Sequence, residues 1–255
     1  MIRLDPAFLR VPLAHRALHV PGSDRTENSR AAIAAAIAHG YGIEIDVQMS
    51  SDGVAMVFHD DELDRLTDDT GPVRARSAAG LAAVRLKGLD EGIPTLAEVL
   101  SLVAGRVPLL VEVKDQHGQM GQTDGTLEAA VARDLAGYDG PVALMSFNPH
   151  SVIRLADLAP DIPRGIVSCD YAAEHCPELP ADVRDRLRAI PDMQAARASF
   201  ISHQWNDLDR PRVDELKSAG IDVLCWTIRS EEAARASLKI AQNITFEGYL
   251  PDLPA

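Results

Sequence analysis

The fold is indicated by one stretch near the start of the chain, Gly42-Ile43-Glu44-Ile45-Asp46-Val47. Its side chains alternate between apolar and acidic, and successive side chains of a β-strand point to opposite faces of a sheet. Ile43, Ile45 and Val47 therefore share one face, while Glu44 and Asp46 share the other. A strand with one apolar face and two carboxylates on its opposite face predicts a sheet whose inner side carries an acidic site.

A second stretch further along the chain repeats this arrangement, Leu109-Leu110-Val111-Glu112-Val113-Lys114. We expect Leu109, Val111 and Val113 on the outer face, with Glu112 and Lys114 turned inward near the end of the strand. Burying carboxylates without a partner costs several kcal/mol each, so a group of them needs a compensating charge. A divalent cation, added to the nearby basic side chains, would leave the site slightly positive and suited to a phosphate diester.

Short β-like runs alternate with amphipathic or alanine-rich stretches along the whole chain. The runs that we interpret as strands are Leu13–His15, Gly42–Val47, Val54–His59, Pro108–Lys114, Val142–Phe147, Pro163–Val167, Phe200–His203, Ile221–Ile228 and Ile244–Gly248. The stretches that we interpret as helices are Ser29–His39, Leu96–Ala104, Thr126–Ala136, His150–Leu158, Arg210–Ala219 and Glu231–Ala241. Strands alternating with helices over 255 residues predict a mainly parallel α/β fold, a (β/α)8 TIM barrel. A doubly wound open sheet is the alternative.

One unit of this predicted barrel is irregular. The second and third strand candidates are joined through Ser50-Ser51-Asp52-Gly53, which is too short for a helix. The segment from Asp60 to Ile93 is polar and poor in strand signals, so we expect turns and short helices there. We treat residues 1–255 as a single barrel domain with a small insertion at about 60–93.

Composition limits the kinds of partner. The chain is 46% hydrophobic and 25% charged, with a formal net charge of −13, which favours a globular protein and disfavours nucleic acid as a partner. The longest apolar run, Ala31 to Ala38, is far shorter than the roughly 20 residues of a membrane span. Three cysteines without a CxxC pair suit reduced thiols better than disulfides. We therefore predict a cytoplasmic protein with no integral membrane association.

Each charged side chain at the strand ends has an ordinary structural interpretation when it is taken alone, as one half of an ion pair or as a cap. The set as a whole favours catalysis. Four strand candidates end in ionisable side chains on what should be one rim, and barrel enzymes place their catalytic groups on that rim. These groups are His15 with Arg16, Glu44 with Asp46, His59 with Asp60, and Glu112 with Lys114.

The order of these residues resembles the glycerophosphodiester phosphodiesterase family. The matching motifs are His15-Arg16, Glu27-Asn28-Ser29, Gly42-x-Glu44-x-Asp46-Val47, Ser51-Asp52-Gly53, Val57-Phe58-His59-Asp60-Asp61-x-Leu63-x-Arg65-x-Thr67, Ile93-Pro94-Thr95-Leu96-x-Glu98-Val99-Leu100 and Glu112-Val113-Lys114. Weaker matches follow at Ser146-Phe147-Asn148 and Cys225-Trp226-Thr227. The resemblance implies a barrel with an early insertion and metal-dependent hydrolysis of a small-molecule glycerophosphodiester to glycerol 3-phosphate and an alcohol.

The resemblance also implies roles for particular residues. The family's metal ligands fall on Glu44, Asp46 and Glu112, its general acid and base on His15 and His59, and its phosphate-contacting cations on Arg16 and Lys114. Ligands that are all oxygen favour Mg²⁺, Ca²⁺ or Mn²⁺ over softer metals. Trp226 would form a wall for the glycerol carbons, with a core position as the alternative. The remaining histidines are expected to be structural: His19, His39, His117, His150, His175 and His203.

The chain departs from the family pattern at two places. The glycine that follows His-Arg in the family is Ala17 here, and the loop from Leu18 to Arg25 is longer. Near the C-terminus the family has a Thr-Asp pair, whereas this chain has the segment Ile244–Pro251, to which we assign no function.

Other functions remain open at this stage. A lysophospholipase D type enzyme would keep the fold and metal but act on a lipid. A non-catalytic barrel, or a metal-assisted lyase on the same fold, belongs to a different class. The presence of both histidines and all three carboxylates disfavours a barrel without catalysis, and the alcohol group, the metal and the oligomeric state stay open.

Overall fold

A computed structural model describes residues 1–254 and contains a closed barrel of eight parallel strands with one further strand beside it. The strands are β1 (Leu13–Ala14), β2 (Gly42–Met49), β3 (Ala55–Val57), β4 (Leu109–Val113), β5 (Val142–Ser146), β6 (Arg164–Ser168), β7 (Phe200–Gln204), β8 (Asp222–Ile228) and β9 (Asn243–Phe246). The barrel closes because β1 pairs in parallel with both β2 and β9. The prediction of a TIM barrel is confirmed, and the open-sheet alternative is wrong.

The irregular unit is a short hairpin. Strand β3 pairs with β2 in the antiparallel direction, and β2 then pairs with β4 in parallel, so β3 lies outside the barrel. The segment that follows contains a 3₁₀ turn, Val73–Ala75, and one short helix. Apolar side chains such as Phe58, Leu63 and Leu81 are buried together in it, which gives this part of the chain a small core of its own.

Eight α-helices accompany the strands within residues 1–254. They are α1 (Arg30–His39), α2 (Ala78–Ala83), α3 (Leu96–Val103), α4 (Thr126–Leu135), α5 (Pro149–Leu158), α6 (Ala181–Arg188), α7 (Pro211–Ser218) and α8 (Glu231–Ser237). Helix α3 begins with a capping box, in which Thr95 and Glu98 exchange hydrogen bonds. Helix α6 was not predicted, because it is strongly charged and its apolar side consists only of Val183 and Leu187.

The barrel has an outer and an inner core, divided by strand parity. Ile43, Ile45 and Val47 pack outward among the helices, as predicted from the alternation in β2. The inner cluster includes Leu110 and Phe200, together with Phe8 from a 3₁₀ turn, Pro6–Leu9, near the N-terminus. Asn243 holds the N-terminal segment in place by donating hydrogen bonds from Nδ2 to the carbonyls of Phe8 and Val11, both at 2.6 Å.

None of the helices in residues 1–254 is long and apolar enough to cross a membrane. The three cysteines, Cys169, Cys176 and Cys225, are free thiols.

Packing inside the barrel predicts the effect of one substitution. Gly165 pairs with Phe200 across β6 and β7, and a Cβ atom at position 165 would overlap the Phe200 ring. We expect Gly165→Ala to lower the free energy of unfolding by about 1–3 kcal/mol, because overpacking forces the ring or the strand to shift. Urea denaturation measures this.

Gly121→Ala is the matched control for this experiment. A Cβ at position 121 would meet no atom within 4 Å, so the stability should change by less than about 1 kcal/mol. Equal stability of the two variants would contradict the assignment of Gly165 to the packed interior.

Candidate active site

Three carboxylates meet at the carboxyl-terminal rim of the barrel. Glu44 and Asp46 lie on β2 and Glu112 lies on β4, and the parallel register places Asp46 directly beside Glu112. One oxygen of each carboxylate lies within 4.8 Å of the others, and all three residues are buried. The cluster expected from strand parity is therefore present, with a spacing that suits a single cation.

Basic and amide groups surround this cluster. Lys114 donates from Nζ to Glu112 Oε1 at 2.8 Å and lies 3.5 Å from Asp46 Oδ1. Arg16 donates its backbone N–H to Glu44 Oε2 at 2.8 Å, while its Nε lies 3.7 Å from Asp46 Oδ2. Asn28 donates from Nδ2 to Asp46 Oδ2 at 2.9 Å. The structure thus brings both predicted phosphate-contacting cations, Arg16 and Lys114, to the carboxylates.

The surrounding groups compensate the two carboxylates of β2 unequally. Burial raises the pKa of Glu44 well above its usual value, and the neighbouring charges of Asp46 and Glu112 raise it further. Burial also acts to raise the pKa of Asp46, but the charge of Lys114, the strongest of several opposing influences, helps to hold that pKa below its usual value. Of the two carboxylates on β2, Glu44 is therefore the one whose negative charge the surrounding groups compensate less well.

His15 is paired with a carboxylate that sequence analysis did not identify. It follows β1 at the rim, and its Nδ1 lies 2.6 Å from Glu247 Oε2, just beyond β9. Arg229 holds the other side of this carboxylate, donating from Nε to Glu247 Oε1 at 2.8 Å. Burial lowers the pKa of His15, and the hydrogen bond to Glu247 opposes that shift. The available signal for Glu247 was its position directly after the last barrel strand.

His59, which follows β3, pairs with a carboxylate in the same way as His15. Its Nδ1 lies 2.7 Å from Asp60 Oδ1, and Asp60 in turn accepts hydrogen bonds from Arg65. Arg65 also donates two hydrogen bonds to Glu27, at 2.7 and 2.8 Å, and Glu27 accepts another from Arg16. A continuous chain of charged hydrogen bonds therefore connects His59 to Arg16. The sequence motifs contained Glu27 and Arg65, but nothing in their spacing assigned them this role.

The loop between β1 and α1 has a strained backbone at the site. Arg16, Ala17 and Asn28 have φ angles of 50°, 64° and 57°, in the left-handed region that residues other than glycine seldom adopt. Ala17 stands where the family pattern has glycine, and it takes the conformation that glycine adopts without strain. Its methyl group is buried, and its N–H donates to the Glu44 carbonyl at 2.9 Å, so the turn keeps its hydrogen bond.

Trp226 lies near the carboxyl-terminal end of β8 and packs against the inner core of the barrel. Its ring packs edge-on against Phe147 with centroids 5.4 Å apart, and its Nε1 donates to the Ser202 carbonyl at 3.0 Å. The side chain is partly exposed. These contacts fix the orientation of the ring, and a role in contacting substrate stays a prediction.

A closed parallel barrel with a buried carboxylate cluster at its carboxyl-terminal rim, together with two histidines that each pair with a carboxylate, defines an enzyme of the TIM-barrel class. The chain belongs to the glycerophosphoryl diester phosphodiesterase family, which it matches over residues 15–246. The identification made from the sequence motifs is confirmed, and so is the prediction of an enzyme of this class.

Individual relatives agree with this assignment. The chain is 26% identical over 225 residues to YhdW of Bacillus subtilis (strain 168), a provisionally named glycerophosphodiester phosphodiesterase, covering 83% of this chain and 82% of that one. It is 30% identical over 153 residues to a glycerophosphodiester phosphodiesterase of Caldanaerobacter subterraneus, covering 55% and 60%. A solved phosphodiesterase of Oleispira antarctica, in complex with its product sn-glycerol-3-phosphate, superposes with a TM-score of 0.75 at 26% identity over 93% of each chain.

The unbalanced charge on Glu44 predicts how the metal-free protein depends on pH. A carboxyl group whose pKa is higher in the folded state binds more protons there, so stability falls as pH rises above the ordinary glutamate pKa. In Glu44→Gln this loss of stability with rising pH disappears, and the amide oxygen can still accept the hydrogen bond from the Arg16 N–H. We expect the metal-free variant to be more stable than the metal-free wild type at neutral pH by roughly 1–3 kcal/mol, because each pH unit above the ordinary glutamate pKa costs up to about 1.4 kcal/mol.

Chemical denaturation across a pH series, with and without Mg²⁺, tests this prediction. Added Mg²⁺ should stabilise the wild-type protein more than the variant, because only the wild type keeps all three carboxylates. Glu178→Gln, at an exposed carboxylate, is the control and should follow the wild type. A metal-free Glu44→Gln protein that is no more stable than the wild type would contradict the charge imbalance.

Proposed function

We propose that this protein hydrolyses glycerophosphodiesters to glycerol 3-phosphate and an alcohol, with the aid of a divalent cation held by Glu44, Asp46 and Glu112. The observation that carries the proposal is the buried carboxylate cluster, accompanied by two histidines that each pair with a carboxylate of their own. The product bound by the Oleispira antarctica relative, sn-glycerol-3-phosphate, supports the same substrate class.

The three carboxylates fit a divalent cation by their chemistry and their spacing. Their donors are all oxygen, which favours Mg²⁺, Ca²⁺ or Mn²⁺. When bound, such an ion supplies positive charge that stabilises the phosphoryl oxygens as negative charge develops on them.

Arg16 and Lys114 then bind and orient the phosphate. Arg16 Nε is buried and has no hydrogen-bond partner, so one donor at the site remains available for an oxygen of the substrate. Glu27 fixes the other side of this guanidinium by accepting from Nη1 at 2.8 Å. Lys114 contacts Asp46 and Glu112 of the carboxylate cluster, where its positive charge attracts the negatively charged phosphate of the diester.

The two histidines move the protons. Each directs Nδ1 towards a carboxylate, which leaves Nε2 to exchange a proton with the substrate. Because burial lowers the pKa of His15, its ring stays neutral near pH 7, donates from Nδ1 to Glu247 and keeps a lone pair on Nε2. We assign His15 as the base that activates the nucleophile and His59 as the acid that protonates the leaving alcohol. Glu247 and Asp60 are positioning residues.

The alcohol side of the site lies between the insertion and the loop that follows β4. A cavity of about 340 Å³ separates them, and its lining includes Asp61, Arg74 and His117. Gln116, in the loop after β4, links the loop to the insertion, because its backbone carbonyl accepts a hydrogen bond from Arg74. Its Nε2 also donates to Gln48 Oε1 on β2 at 2.7 Å. We propose that these loops select the alcohol group and that Trp226 faces the glycerol carbons.

The first test of this function is removal and return of the metal. Protein stripped by a chelator should release glycerol 3-phosphate from glycerophosphocholine at least about 100-fold more slowly, and Mg²⁺, Ca²⁺ or Mn²⁺ should restore the rate. Glu112→Gln should stay slow after metal is returned, whereas Glu178→Gln should recover with the wild type.

The substrate panel for this test includes ethanolamine and glycerol diesters and a lysophospholipid. Full activity after chelation would exclude the metal from the mechanism. Cleavage of the lysophospholipid alone would replace the proposal with the lysophospholipase D type alternative.

The second test concerns the histidine pair. His15→Ala and His59→Ala should each lower kcat by roughly 10²- to 10⁴-fold, because each removes a group that transfers a proton in the transition state. His175→Ala changes an exposed histidine that pairs with Asp170, and it should keep wild-type activity. Thermal unfolding shows whether each variant is folded. A fully active His59→Ala protein would contradict the assignment of the pair.

A further inference from the structure

A second group of potential metal ligands lies beside the carboxylate cluster and shares no residue with it. One ring nitrogen each of His15 and His19 and one oxygen of Glu247 lie within 4.8 Å of one another. Glu247 Oε2 is 2.6 Å from His15 Nδ1 and 3.6 Å from His19 Nε2. The two histidines come from the loop after β1 and the carboxylate from the segment after β9, so closure of the barrel assembles the group.

His19 has an unsatisfied nitrogen in this group. Its side chain is only 10% exposed, and its Nε2 is buried without a hydrogen-bond partner. A buried polar atom of this kind costs free energy unless it has a partner. The atom points towards Glu247 at a distance too long for a hydrogen bond, which leaves a position for a ligand between the two side chains.

The group can be reached from solvent. A cavity of about 280 Å³ is lined by His19, Glu247 and Tyr249, with Leu18 and His39 further along its wall. The cavity provides an entry path for an ion and room for a water molecule that completes its coordination. None of the three carboxylates of the other cluster lines this cavity.

We propose that His15, His19 and Glu247 bind a zinc ion. Two imidazoles and one carboxylate with an open fourth position are a typical zinc donor set, whereas the neighbouring cluster offers only oxygen. Bonds of about 2.0–2.1 Å in a tetrahedral arrangement put ligand atoms about 3.3 Å apart, and the two observed separations lie on either side of that value. Arg229 engages Oε1 of Glu247 and leaves Oε2 for the ion.

Zinc at this site would inhibit the enzyme. With the ion on Nδ1, the neutral ring of His15 must carry its proton on Nε2, so that nitrogen loses the lone pair needed to accept a proton. Zinc also displaces Glu247 from its hydrogen bond to His15. This inhibition rests on the proposed role of His15 as the base, whereas zinc binding itself does not.

The binding experiment uses untagged protein dialysed against Zn²⁺ in excess Mg²⁺, followed by measurement of the zinc retained. Wild-type protein and Glu112→Gln should each retain one equivalent, and His19→Gln should bind at least about 10-fold more weakly because it lacks one ligand. His39→Gln, in the same cavity but outside the group, is the matched control and should bind as the wild type. Co²⁺ provides a second measurement, since a tetrahedral site absorbs visible light far more strongly than an octahedral one.

Equal zinc binding by His19→Gln and the wild type would overturn the proposed site, as would loss of zinc in Glu112→Gln alone. In the activity assay, His19→Gln should keep its basal rate and require at least about 10-fold more Zn²⁺ for half-inhibition than His39→Gln. Zinc bound at this site with an unchanged rate would overturn the inhibition. A protein that binds zinc as expected but cleaves no glycerophosphodiester would overturn the proposed function and leave the zinc site in place.

Discussion

The structure depends on the burial of three carboxylates at one rim of the barrel. Parallel strands that close on themselves bring their carboxyl ends to a common edge, and the register of β2 on β4 sets Asp46 against Glu112. Water cannot solvate these groups, so the chain must supply charge of the opposite sign. Lys114 and Arg16 supply part of it, and they compensate Asp46 more fully than Glu44.

The two histidines are supported by the same arrangement on different elements. In each case Nδ1 meets a carboxylate, and an arginine holds that carboxylate from its other side. The chain Arg229–Glu247–His15 ties the end of the barrel to its beginning, and Arg65–Asp60–His59 ties the insertion to the rim. Each carboxylate that orients a histidine ring is itself held by an arginine, so the orientation of the ring rests on two linked hydrogen bonds.

This site is assembled at some cost in backbone strain. Three residues of the loop around β1 and α1 adopt left-handed φ angles, and Ala17 does so where a glycine would avoid the strain. In the strained turn the N–H of Arg16 donates to the side-chain carboxylate of Glu44, and the N–H of Ala17 donates to the backbone carbonyl of Glu44. The packed inner and outer layers of the barrel supply the stability that holds the turn in this conformation.

The sequence by itself determined the strands, the barrel class and the inward direction of Glu44, Asp46 and Glu112, because strand alternation is a local property with a period of two residues. Tertiary structure alone decided the partners that lie far apart in the chain. His15 and Glu247 are separated by 232 positions and meet only when β1 closes on β9, and the link from Glu27 to Arg65 spans 38. The sequence also did not predict helix α6, since an apolar side of only Val183 and Leu187 gives a weak periodic signal in a strongly charged segment.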